Sequence, residues 1–299
     1  MRRLFPVIVS LLCAAAQADE ARHMPAGILQ VPDNVGTILI ADTASATLRR
    51  FALRDGSLVE TDARYMSIGR NGVGKERAWD RKTPLGVYFI TEELDTERLH
   101  DKYGDKAFVL DYPNAWDRYQ DRTGDGIWLH GVDRKDPDRP PLDTDGCLAL
   151  PNEDITAIAG ELAPLQTPVI VAREFTWSSQ AEAAVLRAQL NEAMARWQQS
   201  VEQNDFFNYL ALYAEGFRYR GMSRDDWAAW RSSVFAKRKP LHIEIKDLLL
   251  VADPGEPGLF LSRFTQQLST AESTVVTLKR LYWRYDDAGQ LRIVTEDNG

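Results

Sequence analysis

Short runs of alternating apolar and polar residues, separated by Gly-, Pro- and Asp-rich turns, fill the first half of the chain. Residues 36–40 and 46–53 read as two such strands. In the second, Leu48, Phe51 and Leu53 stand among Arg49, Arg50 and Arg54, as expected of a half-exposed strand. Residues 64–68 give another, ahead of the glycine-rich stretch 69–74. Thr83-Pro84-Leu85-Gly86 then turns into the β-branched and aromatic run 87–91, and residues 108–110, 127–129 and 169–172 complete the series. Only residues 152–162 have helical texture in this half, with Pro151 near their start. The half is predicted to be mainly β.

Past residue 174 the period changes. Leu186, Leu190, Ala193, Met194 and Trp197 recur at helical spacing across residues 179–202. Residues 206–213 and 225–235 continue as helices around turns at Gly216 and Gly221. Long strand-like runs follow at 242–251, 259–268 and 273–285, and a turn at 286–289 leads into the last, 291–295. Helices followed by a meander of long antiparallel strands make an α+β arrangement. The pattern divides the chain into a lead at 19–35, a β domain at 36–174, a linker at 175–182 and a second domain at 183–299.

Composition agrees with this division and narrows the function. A chain of 299 residues accommodates two ordinary domains, and 44% hydrophobic with 27% charged residues suits a core-forming protein. The formal net charge of -8 argues against a nucleic-acid partner, which needs a basic face. There is no Lys/Arg run, zinc-type Cys/His spacing or Walker-type glycine loop.

The N-terminus predicts export. Arg2 and Arg3 precede an apolar run over residues 4–16, and Ala16-Gln17-Ala18 supplies the small residues of a cleavage site before Asp19 and Glu20. That is the layout of a secretory signal peptide at 1–18, shorter than a membrane-spanning helix. Cys13 would leave with it, so the mature, periplasmic protein keeps one thiol, Cys147, and no internal disulfide.

That thiol has a partner. Trp128-Leu129-His130-Gly131 ends an apolar strand, and after a polar loop comes Thr144-Asp145-Gly146-Cys147-Leu148-Ala149-Leu150. A Cys–His pair is the minimum for thiol acyl transfer, because the imidazole takes the thiol proton and only the thiolate attacks a carbonyl well. Cys147 is the candidate nucleophile and His130 the candidate base. The backbone at Gly146 and Gly131 is the candidate site for the developing oxyanion. The other histidines are poorer candidates: His23 lies in the lead, His100 in a charged loop and His242 in the second domain. Asp121, Asp125, Asp136, Asp138 and Asp143 crowd the same region with Asp145, a cluster that a solvated loop explains.

Thr83-Pro84-Leu85-Gly86 with Tyr88-Phe89-Ile90, then His130-Gly131, then Thr144-Asp145-Gly146-Cys147, resembles the YkuD-type catalytic domain of L,D-transpeptidases over about residues 36–172. The resemblance implies a β-sandwich with the pair in a cleft, acting on the tetrapeptide stem of peptidoglycan. The cysteine would attack the carbonyl at the L-centre of the third, diamino acid residue and release D-Ala. The thioester would then pass to water or to an amine, with no metal or organic cofactor needed. Two positions depart from the family pattern: Asp145 replaces a histidine, and Ala149 replaces an arginine that supplies a fixed cation. Thr144, Asp145 and Arg134 are the candidate substrate contacts, with Lys135 and Arg139 as further sources of the missing charge.

The Gly-Cys-Leu-Ala-Leu variant and the added second half are similar to the Csd6/Pgp2 branch of this family. That resemblance implies L,D-carboxypeptidase activity, a part in cell shape, and an NTF2-like second domain with helices on a curved antiparallel sheet. Such a domain would offer a pocket to a protein partner or small ligand, although its aromatic residues suit a core equally well. The competing expectation is an inactive wall-binding or scaffold protein acting through its second half.

Overall fold

A computed structural model of the protein describes residues 23–299 apart from residue 239, so the segment expected to be a signal peptide, with Cys13, lies outside the described residues. The first half is built on one eight-stranded sheet. Its order is Leu148–Ala149, Trp128–His130, Ala107–Leu110, Gly86–Leu94, Pro168–Ala172, Thr37–Asp42, Thr47–Arg54 and Ser57–Tyr65. Pro168–Ala172 runs antiparallel to Gly86–Leu94 and parallel to Thr37–Asp42.

The alternation of side chains across these strands explains the packing. Leu39, Ala41, Tyr88, Ile90, Val169 and Val171 enter one core. Their neighbours Ile38, Ile40, Val87, Phe89 and Ile170 enter another, on the opposite face. Thr37–Asp42 is therefore buried along its whole length. The first core is closed by helix α2 (Asn152–Ala159), through Ile155 and Ile158, and by Ile68, Ile127 and Leu148, where the sheet curls over itself.

The second core is shared between the halves. Leu249, Val251, Leu259, Leu261, Tyr282 and Val294 all come from the second half and pack on the first sheet's outer face. They belong to a five-stranded antiparallel sheet in the order Leu291–Asp297, Thr274–Tyr285, Leu259–Ser269, His242–Ala252 and Ile28–Gln30. Its other face carries helices α3 (Gln180–Glu202), α4 (Phe206–Ala211) and α5 (Arg224–Lys237). Trp197, Tyr209, Trp227, Phe264 and Trp283 fill the space between them. These aromatics are core residues.

Three features depart from the sequence pattern. Residues in the lead form strands: Ile28–Gln30 extends the second sheet, and His23–Pro25 pairs with Trp177–Ser179 in the expected linker. Ser57–Tyr65 is a nine-residue strand whose mixed, mostly polar face hid it. A short helix, α1 (Ala115–Tyr119), is closed by a capping box between Asn114 and Asp117. Ser179 and Glu182 make a second capping box, which starts α3 at the predicted place.

Candidate active site

His130 ends the strand Trp128–His130, where it stands opposite Ala149 on one side and Ala107 on the other. It is only 3% exposed. Its Nδ1 lies 2.5 Å from the carbonyl oxygen of Gly131, which can only accept, so Nδ1 carries the proton and Nε2 keeps its lone pair. The ring of Tyr103 meets the imidazole edge-on, with centroids 5.2 Å apart. Burial pushes His130 down to about 4; the Gly131 carbonyl opposes this, while Arg139 and Lys102 add to it.

Cys147 enters the same sheet one residue before the strand that pairs with Leu129 and His130. The turn that delivers it depends on Gly146, whose φ of 130° lies outside the range L side chains favour. A Cβ there would come within 2.7 Å of the Lys82 carbonyl oxygen. Thr83 Oγ1 donates to the Gly146 carbonyl at 2.9 Å and accepts from the Gly69 amide at 2.9 Å. Thr144 Oγ1 donates to the Cys147 carbonyl at 2.8 Å. The thiol faces the Gly126 carbonyl oxygen at 3.5 Å. Burial pushes the thiol up to about 11, with the Trp128 amide and the charges of Lys102 and Arg139 acting against it. At neutral pH the resting pair is therefore a neutral thiol and a neutral imidazole.

Both side chains line one cleft of about 540 Å³. Arg70, Lys75, Arg81, Lys102 and Arg139 bring positive charge to its walls, against Asp125, Asp143 and Asp145. Asp145 sits at the rim with Arg70 and Arg81 at 3.4 and 3.8 Å.

The structure brings together Cys147, His130, Thr144 and Asp145, and corrects three expectations. Arg134 does not line the cleft: it is exposed and paired with Asp105 at 2.6 Å, as Lys135 is with Asp101 at 2.9 Å. Arg139 is the cation from that loop which turns inward. The Gly131 amide already donates to the carbonyls of Tyr103 and Lys106, and the Gly146 amide to Thr144 Oγ1, so neither is free to meet an oxyanion. Both glycines act through backbone shape: a Cβ on Gly131 would clash with Asn152 Oδ1. Ala149, where the resemblance leads one to expect arginine, is buried inside the strand.

His100 only caps a short helical turn, and His242 pairs with Glu202 far along the chain. Sequence reasoning missed Trp79, Lys102 and Tyr103. Their only signal was proximity to the glycine-rich stretch and to a charged loop.

Residues 36–171 match the YkuD L,D-transpeptidase catalytic domain, and residues 189–297 match the Cds6 C-terminal NTF2-like domain. Bd1075 of Bdellovibrio bacteriovorus superposes with a TM-score of 0.76 at 23% identity, over 93% of this chain and 98% of that one. Pgp2 of Campylobacter jejuni, described as a helical cell shape determining protein, superposes at 0.73 with 23% identity, over 92% and 93%. These two likenesses are of fold, extending through both halves. No curated protein sequence matches the chain significantly.

Proposed function

Since residues 36–171 belong to the L,D-transpeptidase catalytic domain family and residues 189–297 to the Cds6 C-terminal NTF2-like family, we propose that this is an exported cysteine enzyme acting on the tetrapeptide stems of peptidoglycan. The observation that carries the reading is that Cys147 and His130 open into one cleft of that catalytic domain.

Neutral Nε2 of His130 takes the proton from Cys147 as the sulfur attacks the carbonyl carbon at the L-centre of the third stem residue. The tetrahedral intermediate collapses, the bond to D-Ala breaks, and the imidazolium returns its proton to the departing amine. A thioester on Cys147 remains. Water, deprotonated by the same nitrogen, then attacks the thioester and restores the thiol. An amine in place of water gives a crosslink or an attached lipoprotein. Hydrolysis is the reading favoured by the resemblance to the Csd6/Pgp2 branch, and with it a part in cell shape.

Incubating the mature chain with disaccharide–tetrapeptide tests this. Release of D-Ala and the tripeptide supports hydrolysis, and dimers joined between third residues support transfer. A folded wild-type protein that leaves the tetrapeptide intact refutes both and returns the chain to the scaffold reading.

A further inference from the structure

The wall of the cleft beyond Cys147 is the loop between residues 70 and 83, and at its tip stands Trp79. This side chain is 92% exposed, the most exposed of the large apolar residues among those described. Among the described residues its indole has neither a hydrogen bond nor a ring partner. Its backbone has φ of 65°, and Arg81 follows with φ of 58°. A tryptophan in the left-handed region is an outlier, and such outliers persist only where the surroundings impose them.

Here the surroundings are visible. Between the two strained residues lies Asp80, whose carboxylate accepts from the amides of Glu76, Arg77 and Lys82 and from Lys75 Nζ, the last at 2.8 Å. Lys75 is itself buried. Asn71 Nδ2 donates to the Asp80 carbonyl at 2.9 Å, and its backbone amide donates to the Arg81 carbonyl at 3.1 Å. The loop is thus stapled on both sides of the indole. Glycine would take this conformation without strain, so the side chain, rather than the turn, is what the position provides.

We propose that Trp79 is a sugar platform: its indole stacks on a pyranose of the glycan that bears the stem peptide, so the enzyme favours stems still attached to sugar over free peptides. The inference rests on the stem-peptide reading above and adds a subsite to it. The chemistry fits. A pyranose presents an apolar C–H face bounded by hydroxyls, and Trp79 lines the same cleft as the polar side chains Arg81, Asp125 and Asp145. The reach fits as well. The Lys82 carbonyl packs against Gly146, next to the nucleophile. Trp79 lies three positions before Lys82, so the two are at most about 10 Å apart, and a sugar joined to the attacked carbonyl through three residues of stem comes within reach of the indole.

The test uses the mature chain carrying Cys147→Ala, so that binding is read without turnover. Calorimetric affinities for disaccharide–tetrapeptide and for the sugar-free tetrapeptide should differ about five-fold in favour of the sugar, the scale of one aromatic contact. Trp79→Gly, which suits a φ of 65°, should bring the sugared ligand down to the affinity of the free peptide without lowering Tm. Trp79→Phe should retain part of the difference. Equal affinity for the two ligands in the parent, or equal weakening of both by Trp79→Gly, would overturn the inference. Tripeptide release by the Cys147 protein judges the function separately. An enzyme that cleaves without discriminating keeps its activity and loses the platform, and a chain that neither prefers the sugared ligand nor releases tripeptide loses both.

Discussion

Nδ1 of His130 is held 2.5 Å from the carbonyl of Gly131, and this bond decides which ring nitrogen can act as a base. Burial sets the electrical state of the resting site. His130 lies near 4 and Cys147 near 11, both displaced chiefly by burial, so neither group is charged at neutral pH. In the proposed reaction the thiol would therefore lose its proton as the carbonyl arrives.

The first prediction is therefore a broad pH plateau. The acid limb of kcat/KM should fall near 4 rather than 6.5, because that is where the buried imidazole becomes protonated. Alkylation of Cys147 by iodoacetamide in the free enzyme should be slow at pH 7 and accelerate toward 11. Rapid labelling at pH 7 would mean a preformed thiolate–imidazolium pair and contradict this. Stability follows with a definite sign. The folded value of His130 lies below that of the unfolded chain, so its contribution is intact above 6.5 and is lost as the pH falls toward 4.

Arg139 and Arg134 lie in one loop and should behave differently. Arg139 lines the cleft and acts on both Cys147 and His130, whereas Arg134 is tied to Asp105 outside it. A terminal D-Ala carboxylate needs a cation, and Ala149 cannot supply one. Arg139→Gln should raise KM about ten-fold, the loss of one charge-assisted contact, and should move the acid limb upward by removing a repelling charge from His130. Arg134→Gln should do neither. Equal effects from the two substitutions would show that the loop acts only as a scaffold.

The strands were legible wherever β-branched and aromatic apolar residues run together, as in Thr37–Asp42 and Gly86–Leu94. Ser57–Tyr65 escaped because its exposed face gives no such contrast. His23–Pro25 and Ile28–Gln30 are three residues each, too short to carry a period. Nor could a pattern along one chain reveal that Val87 and Phe89 face Leu249 and Leu261 of the other half. Within the site, Cys147 and His130 were found because their glycine neighbours mark sharp turns beside reactive groups. Arg134 was preferred to Arg139 without any way to read how the loop turns. Trp79, Lys102 and Tyr103 reach the cleft from segments far apart in sequence, and only the sheet pairing joins them.

Gly146→Ala tests the delivery of the nucleophile. The new Cβ would meet the Lys82 carbonyl at 2.7 Å and Ile127 Cδ1 at 3.0 Å, at a φ of 130°. The expected cost is about 1–3 kcal/mol of stability and about 100-fold in kcat, since a displacement near 1 Å at the reacting atoms suffices for that. Gly160→Ala is the control, because a Cβ there meets nothing within 4 Å. Urea unfolding and steady-state rates measure the two effects.

The last prediction concerns the joint between the halves. Arg280, from the second sheet, forms an ion pair with Asp111 of the first and donates through Nε to Asp297 at 2.7 Å. Asp111 also accepts from the Phe89 amide at 2.7 Å, so the charge cluster is anchored to the central strand of the catalytic sheet. Removing one partner of a buried pair leaves the other unpaired, which costs about 3–5 kcal/mol. Arg280→Met should destabilise the chain by that amount. It should do so in a single transition that carries the signals of both halves, because they share one core. The pH dependence distinguishes lost charge pairing from lost packing. Burial already holds the Asp111 carboxyl above its usual range, and removing Arg280 raises it further, so the folded variant binds a proton more tightly than the unfolded chain. Its stability deficit should then shrink as the pH falls from 7 toward 5. A companion Asp111→Asn should recover much of the loss at pH 7. If it recovers nothing and the deficit ignores pH, Arg280 holds the halves together by its bulk alone.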